Sequence, residues 1–131
     1  MSEPKVLVVD DDAESRGLIC EVLEANGYQV GAAGDGVAAR EALTRDENYR
    51  IVIADLRMPN ENGIDLLRSL RQQKAQRDVI LMSSFMSGAE RKFAQDMGVH
   101  RLLEKPFRLS ELLQMVGELA GRNPIEAGAT L

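Results

Sequence analysis

Four short apolar runs in this chain each end in residues that handle charge or donate hydrogen bonds. Residues 6–9 lead into Asp10, Asp11 and Asp12; 51–54 into Asp55; 79–82 into Ser83; and 99–103 into Glu104, Lys105 and Pro106. Runs of this length without polar alternation read as buried strands of a parallel sheet. In open α/β sheets the functional crevice lies beyond the carboxyl ends of the strands, so chemistry carried there by four strands converges in space. Acids gathered beside one lysine and one serine suit a divalent cation and a phosphoryl group.

Helical periodicity fills the gaps between these runs. Residues 13–26 place Ile19, Cys20, Val22 and Leu23 on one side, with Asn26 and Gly27 as a stop. A weaker strand is expected over 28–33 and a short helix over 37–45, carrying Ala38, Ala39, Ala42 and Leu43. Ile64, Leu66, Leu67 and Leu70 mark a third helical face, and Phe93, Ala94 and Met97 before Gly98 a fourth. Leu109, Leu112, Leu113, Val116, Leu119 and Ala120 mark a fifth, ended by Gly121. Strand and helix alternate five times, which requires a parallel sheet with helices on both faces. Residues 1–121 are expected to form one domain, and 122–131 a short C-terminal tail.

At 131 residues and 44% hydrophobic content the chain fits one compact domain with a buried core. A formal charge of -5 without a Lys/Arg cluster argues against direct binding of nucleic acid. One cysteine excludes an internal disulfide and fits a reducing compartment. No apolar stretch approaches the roughly 20 residues that span a bilayer, and a soluble cytoplasmic protein with no membrane contact is expected. Cys20 and Met82, Met97 and Met115 read as core packing, and His100 as a strand-edge residue.

Four motifs, VLVVDDD (6–12), IVIADLRMPNENG (51–63), VILMSS (79–84) and EKPF (104–107), together resemble the receiver domain of two-component response regulators. The likeness runs from about Pro4 to Gly121. It implies a flavodoxin-like, doubly wound five-stranded sheet of order 2-1-3-4-5 with five helices. It also implies that Asp55 is the phosphoacceptor, that Asp10 and Asp11 hold Mg²⁺ (or Mn²⁺) with Asp55, and that Arg57 offers its backbone carbonyl to the metal. Ser83 would bond a phosphoryl oxygen, with Ser84 as the small residue after it. Lys105 would pair with the phosphoryl group, and the Lys105–Pro106 bond would be cis. Asp12 reads as the cap of the first helix. The implied protein is a phosphorelay switch rather than an enzyme, although it catalyses its own phosphoryl transfer and slow autodephosphorylation. Its implied partners are a sensor histidine kinase or histidine phosphotransfer protein and a downstream protein. Output would run through the face of the fourth helix, fifth strand and fifth helix, which also suits a phosphorylation-dependent homodimer.

The chain departs from the family where output is concerned. The Tyr or Phe that usually stands three residues before the lysine is Leu102, so coupling is expected to be weak, atypical or carried by another group such as Phe85. Arg57 and Phe85 occupy the two positions that tune acyl-phosphate lifetime, and both are large enough to shield the phosphoryl group; a fairly long-lived phosphorylated state is expected. A stand-alone receiver is expected rather than one cut from a longer regulator or hybrid kinase. Two other readings compete. A phosphohydrolase of the haloacid dehalogenase type would make Asp10 the nucleophile, but it needs a late acidic metal motif that residues 107–131 do not supply. A phosphorylation-independent docking receiver would bind its partner unaffected by Asp55→Asn.

Overall fold

The computed structural model describes residues 4–58, 62–73, 76–99 and 101–121. Among these, strands and helices alternate in the expected order: β1 (Lys5–Val9), α1 (Ala13–Ala25), β2 (Val30–Ala33), α2 (Gly36–Arg45), β3 (Tyr49–Asp55), α3 (Gly63–Arg71), β4 (Asp78–Ser83), α4 (Gly88–Asp96), β5 (Arg101–Glu104) and α5 (Leu109–Leu119). The sheet runs β2-β1-β3-β4-β5 and every neighbouring pair is parallel. Pro59, His100 and the 122–131 tail lie outside the described residues.

Strand alternation divides the interior into two layers. Leu7, Val9, Val52, Ala54, Val79 and Leu81 face α2, α3 and α4 and pack with Ala39, Leu43, Leu66, Leu67, Leu70 and Ala94. Val6, Val8, Ile51, Ile53, Ile80 and Met82 face α1 and α5 and pack with Ile19, Leu23, Leu112, Leu113 and Val116. Complete burial of one such side chain contributes about 1.5–3 kcal/mol. The two layers together can therefore offset the burial of a few charged groups at the strand ends. Met82 is fully buried, whereas Cys20, Met97 and Met115 are only partly so and pack against the core edge.

Two strands start later than their apolar runs suggest, for one shared reason. Gly27 (φ 89°) and Gly98 (φ 87°) end α1 and α4 in the left-handed conformation. The next amide then turns back onto the helix: Tyr28 N–H donates to the Leu23 carbonyl at 3.1 Å, and Val99 N–H to that of Ala94 at 2.9 Å. Tyr28 and Val99 are buried, but their amides close helices rather than join the sheet. The strand expected over 28–33 is accordingly Val30–Ala33, and that expected over 99–103 is Arg101–Glu104.

Candidate phosphoryl-transfer site

Parallel pairing brings the carboxyl ends of β1, β3, β4 and β5 to one edge of the sheet. The ladder continues one step past the strands: Asp10 N–H donates to the Ala33 carbonyl at 3.1 Å, Leu56 N–H to Met82 at 2.8 Å and Lys105 N–H to Ser83 at 2.8 Å. The backbone carrying each functional side chain is thus fixed before its side chain is considered. Gly63, the first residue of α3, lies against this edge. A Cβ there would come within 2.8 Å of the Asp55 carbonyl oxygen and 2.9 Å of Leu56 Cα, so only glycine lets α3 begin this close to β3. The Lys105–Pro106 peptide bond is cis.

Asp10 is completely buried and Asp55 only 6% exposed. Uncompensated, such burial of ionised groups would be costly. Each carboxylate is met twice. Lys105 Nζ donates to Asp55 Oδ2 at 2.6 Å and to Asp10 Oδ2 at 3.2 Å. The other oxygens accept backbone amides, Arg57 N–H onto Asp55 Oδ1 at 2.9 Å and Asp12 N–H onto Asp10 Oδ1 at 3.0 Å. Burial acts to lower the Lys105 pKa, yet the hydrogen bond and charge of Asp55, followed by those of Asp10, outweigh it and leave the ammonium held above its usual range.

Asp11 is exposed and brings a third carboxylate to the group: ligand oxygens of Asp10, Asp11 and Asp55 all lie within 4.8 Å of one another. Three hard oxygen donors against one ammonium leave excess negative charge. This donor set suits a divalent cation that keeps part of its water shell, and its lack of Cys or His disfavours zinc. Asp12 lies outside the cluster and caps α1, its carboxylate accepting from Glu14 N–H at 3.2 Å and Ser15 Oγ at 2.9 Å. Those two bonds, Ser15 first, hold its pKa below the usual carboxylate value.

The remaining expected residues are arranged differently. Ser83 is fully buried, and its hydroxyl is engaged within its own turn, donating to the Phe85 carbonyl at 2.5 Å and accepting from Phe85 N–H at 3.2 Å. Phe85 is 66% exposed. Leu102 pairs with Leu81 in the sheet and is half-buried against the α2–α4 layer. The Arg57 side chain forks onto Glu90 of α4, with Nη1–Oε2 at 2.6 Å and Nη2–Oε1 at 2.7 Å.

Two contributors are absent from the sequence-based set. Arg16, one turn into α1, donates from Nη1 to the Asp10 carbonyl at 2.7 Å; its helical spacing from Asp12 is the one signal that could have found it. Glu90 has a local signal only for its cap, three residues after Ser87; nothing near it in the sequence points to Arg57, 33 residues away.

Residues 6–117 match the response regulator receiver domain family. The chain belongs to that family and is a receiver domain of two-component signalling, in which phosphoacceptance is the general role. It is 36% identical over 119 residues to the transcriptional regulatory protein CpxR of Escherichia coli (strain K12), a match covering 91% of this chain and 50% of that protein. With response regulator MprA of Mycobacterium leprae (strain TN) it shares 36% over 118 residues, covering 90% and 51%. The chain therefore spans about half the length of these curated relatives. A response regulator receiver protein from Pseudomonas putida superposes with a TM-score of 0.86 at 33% identity, covering 90% of this chain and 98% of that one. Chemotaxis protein CheY4 of Vibrio cholerae gives 0.83 at 25% identity, with 90% and 99% covered. These likenesses do not favour the hydrolase reading. No described helix is long and apolar enough to cross a membrane.

Proposed function

We propose that Asp55 is the phosphoacceptor of a signalling switch, and the observation that carries the reading is the bridge from Lys105 Nζ to Asp55 and Asp10 at the carboxyl end of the sheet. A carboxylate oxygen of Asp55 attacks phosphorus, the bond from phosphorus to the donor breaks, and its electron pair leaves with the donor. That donor is a phosphohistidine of a sensor kinase or phosphotransfer protein, whose imidazole nitrogen recovers the pair, or acetyl phosphate, which leaves as acetate. Little covalent chemistry is asked of the protein; the rate depends on neutralising charge on the transferring oxygens. Lys105 can transfer its ammonium from the Asp55 carboxylate to the phosphoryl oxygens with a small shift, because it already spans the pocket. Mg²⁺ or Mn²⁺ held by Asp10, Asp11, Asp55 and the Arg57 carbonyl would supply further charge neutralisation.

Ser83 has to break its bond to the Phe85 carbonyl before its hydroxyl can reach a phosphoryl oxygen. Phosphorylation would thereby loosen the turn that carries Phe85 and, beyond it, α4. Leu102 provides no aromatic ring to follow that movement, so we assign readout to the α4-β5-α5 face through the β4–α4 turn. That face would bind a downstream protein or a second copy of the chain. A groove of about 420 Å³ lined by Leu18, Ile19, Ser84, Lys105, Pro106 and Phe107 flanks the site. Leu18 on its rim is 51% exposed, which suits docking of the phosphodonor protein beside Asp55, in the cytoplasm and without nucleic acid or membrane.

Incubation with acetyl phosphate and Mg²⁺, followed by intact-mass measurement, tests the reading. The expected result is one added phosphoryl group in wild type and none in Asp55→Asn. No gain in either would favour a docking receiver that works without phosphorylation, and a gain surviving in the variant would move the nucleophile to Asp10.

A further inference from the structure

Arg57 stands two residues beyond Asp55, and its backbone N–H is bonded to that carboxylate. Its guanidinium nevertheless makes a two-pronged contact with Glu90 in the first turn of α4. Glu90 has a second task. Its Oε1 accepts Ser87 N–H at 3.0 Å while Ser87 Oγ accepts Glu90 N–H at 3.1 Å, a reciprocal pair that closes the amino end of α4. One carboxylate thus both caps α4 and ties it to Arg57, just beyond Asp55 at the end of β3. The Arg57 hydrogen bond is the chief reason that the Glu90 carboxyl sits at about 2, with the Ser87 amide next. Arg57 is raised mainly by Glu90 and, more weakly, by the charge of Asp55.

We infer that Arg57 and Glu90 form a phosphorylation-sensitive clasp: a phosphoryl group on Asp55 draws Arg57 away from Glu90 and releases the amino end of α4 from the β3–α3 loop. The inference rests on the reading of Asp55 as phosphoacceptor. Three observations support the exchange. The ion pair is open to water, its side chains 50% and 23% exposed, so Arg57 can exchange one anion for another without either group being stranded out of solvent. An aspartyl phosphate offers more negative charge and more acceptor oxygens than Glu90 does. The competing group would also arise next to the Arg57 backbone, so the side chain needs to swing and no element needs to unfold. Ser87 retains its bonds with Glu90, so the amino end of α4 is loosened and opens more often but is not unwound. The clasp gives α4 a link to Asp55 that bypasses Leu102.

Hydrogen exchange by mass spectrometry over residues 88–93, with and without acetyl phosphate and Mg²⁺ and with intact mass read in parallel, tests the clasp. In wild type, exchange there should quicken about two- to fivefold on phosphorylation, the range that loss of an exposed ion pair supports. Glu90→Gln keeps a side chain able to complete the cap but loses the charge, so it should show the fast rate without phosphorylation and gain little from it. Arg57→Gln, which leaves the cap intact, should do the same. A phosphoryl gain in wild type with unchanged exchange at 88–93 overturns the clasp alone, as do two variants that exchange as slowly as unphosphorylated wild type. Absence of any phosphoryl gain overturns the Asp55 reading, and the clasp with it.

Discussion

At the carboxyl end of the sheet Asp10 and Asp55 share one ammonium beside a third carboxylate, Asp11, whereas at the amino end a buried guanidinium donates to neutral acceptors. Arg77, 5% exposed, donates to the Tyr49 carbonyl at 2.8 Å, the Leu43 carbonyl at 3.3 Å and Gln73 Oε1, while its own carbonyl accepts from Arg71 at 2.8 Å. Burial pushes its pKa down and the charge of Glu47 offsets part of that. Both ends bury charge, yet only the carboxyl end gathers several like charges in one place. Arg77 fits its acceptors and acts as a clip joining α2, β3 and the segment before β4. The acids exceed their cation and so form a place for further positive charge. Burial of an ionisable group therefore does not by itself mark a functional site; a cluster of like charges in excess of its counter-charge does.

The largest effect is expected where that comparison is broken at the amino end. Arg77→Met should lower unfolding free energy in urea by about 2–3 kcal/mol, because it strands buried acceptors, while the phosphoryl gain by intact mass persists. Loss of that gain would show that the clip also serves the site. An intermediate effect is expected at the other end. Lys105→Met leaves two buried carboxylates without their ammonium; because the Lys105 side chain is 27% exposed and water can reach the pocket, the cost in chelator should be about 2 kcal/mol, below the roughly 3–5 kcal/mol of a fully buried pair. Mg²⁺ should then stabilise the variant more than wild type, with about 2.7 kcal/mol available at a hundredfold excess over Kd. If Mg²⁺ shifts neither urea midpoint, the acid cluster does not hold the ion. The smallest effect concerns the exposed clasp. The Glu90 carboxyl lies at about 2 in the folded chain against an ordinary 4.5, so its contribution is complete above pH 4.5 and is lost as pH falls through about 2. The difference in urea midpoint between wild type and Glu90→Gln should shrink over that window; a constant difference would mean that Arg57 does not govern the carboxyl.

Much of this architecture is legible along the chain because it follows local rules. Apolar runs without polar alternation gave strands buried on both faces, and each helix between them shows its face at a spacing of three or four. The two misplaced strand starts, at Tyr28 and Val99, share a cause that composition hides. Both residues are apolar enough for a strand, and the backbone amide rather than the side chain decides where the ladder begins. A glycine two residues past the last helical turn is the signal to read there.

Within the site, the acids and Lys105 could be anticipated because strand ends of a parallel sheet converge whatever the loops do. Side-chain partners could not. Ser83 bonds its own turn, Arg57 reaches 33 residues along the chain, and Arg77 meets Tyr49 and Leu43 at separations of 28 and 34.

The sequence by itself determined the alternating fold, the strand order once the family likeness is admitted, and the gathering of Asp10, Asp55, Ser83 and Lys105 at one edge. These follow from periodicity and from the direction of parallel strands, which act on every residue of a run together. Only the tertiary structure decided which cation faces which anion. Such choices turn on a few ångströms between distant segments, and many side chains of the right charge lie along the chain. The clasp of Glu90 on Arg57 becomes visible only after β3 and α4 have been brought side by side, whereas its cap on α4 is local to Ser87 and Glu90.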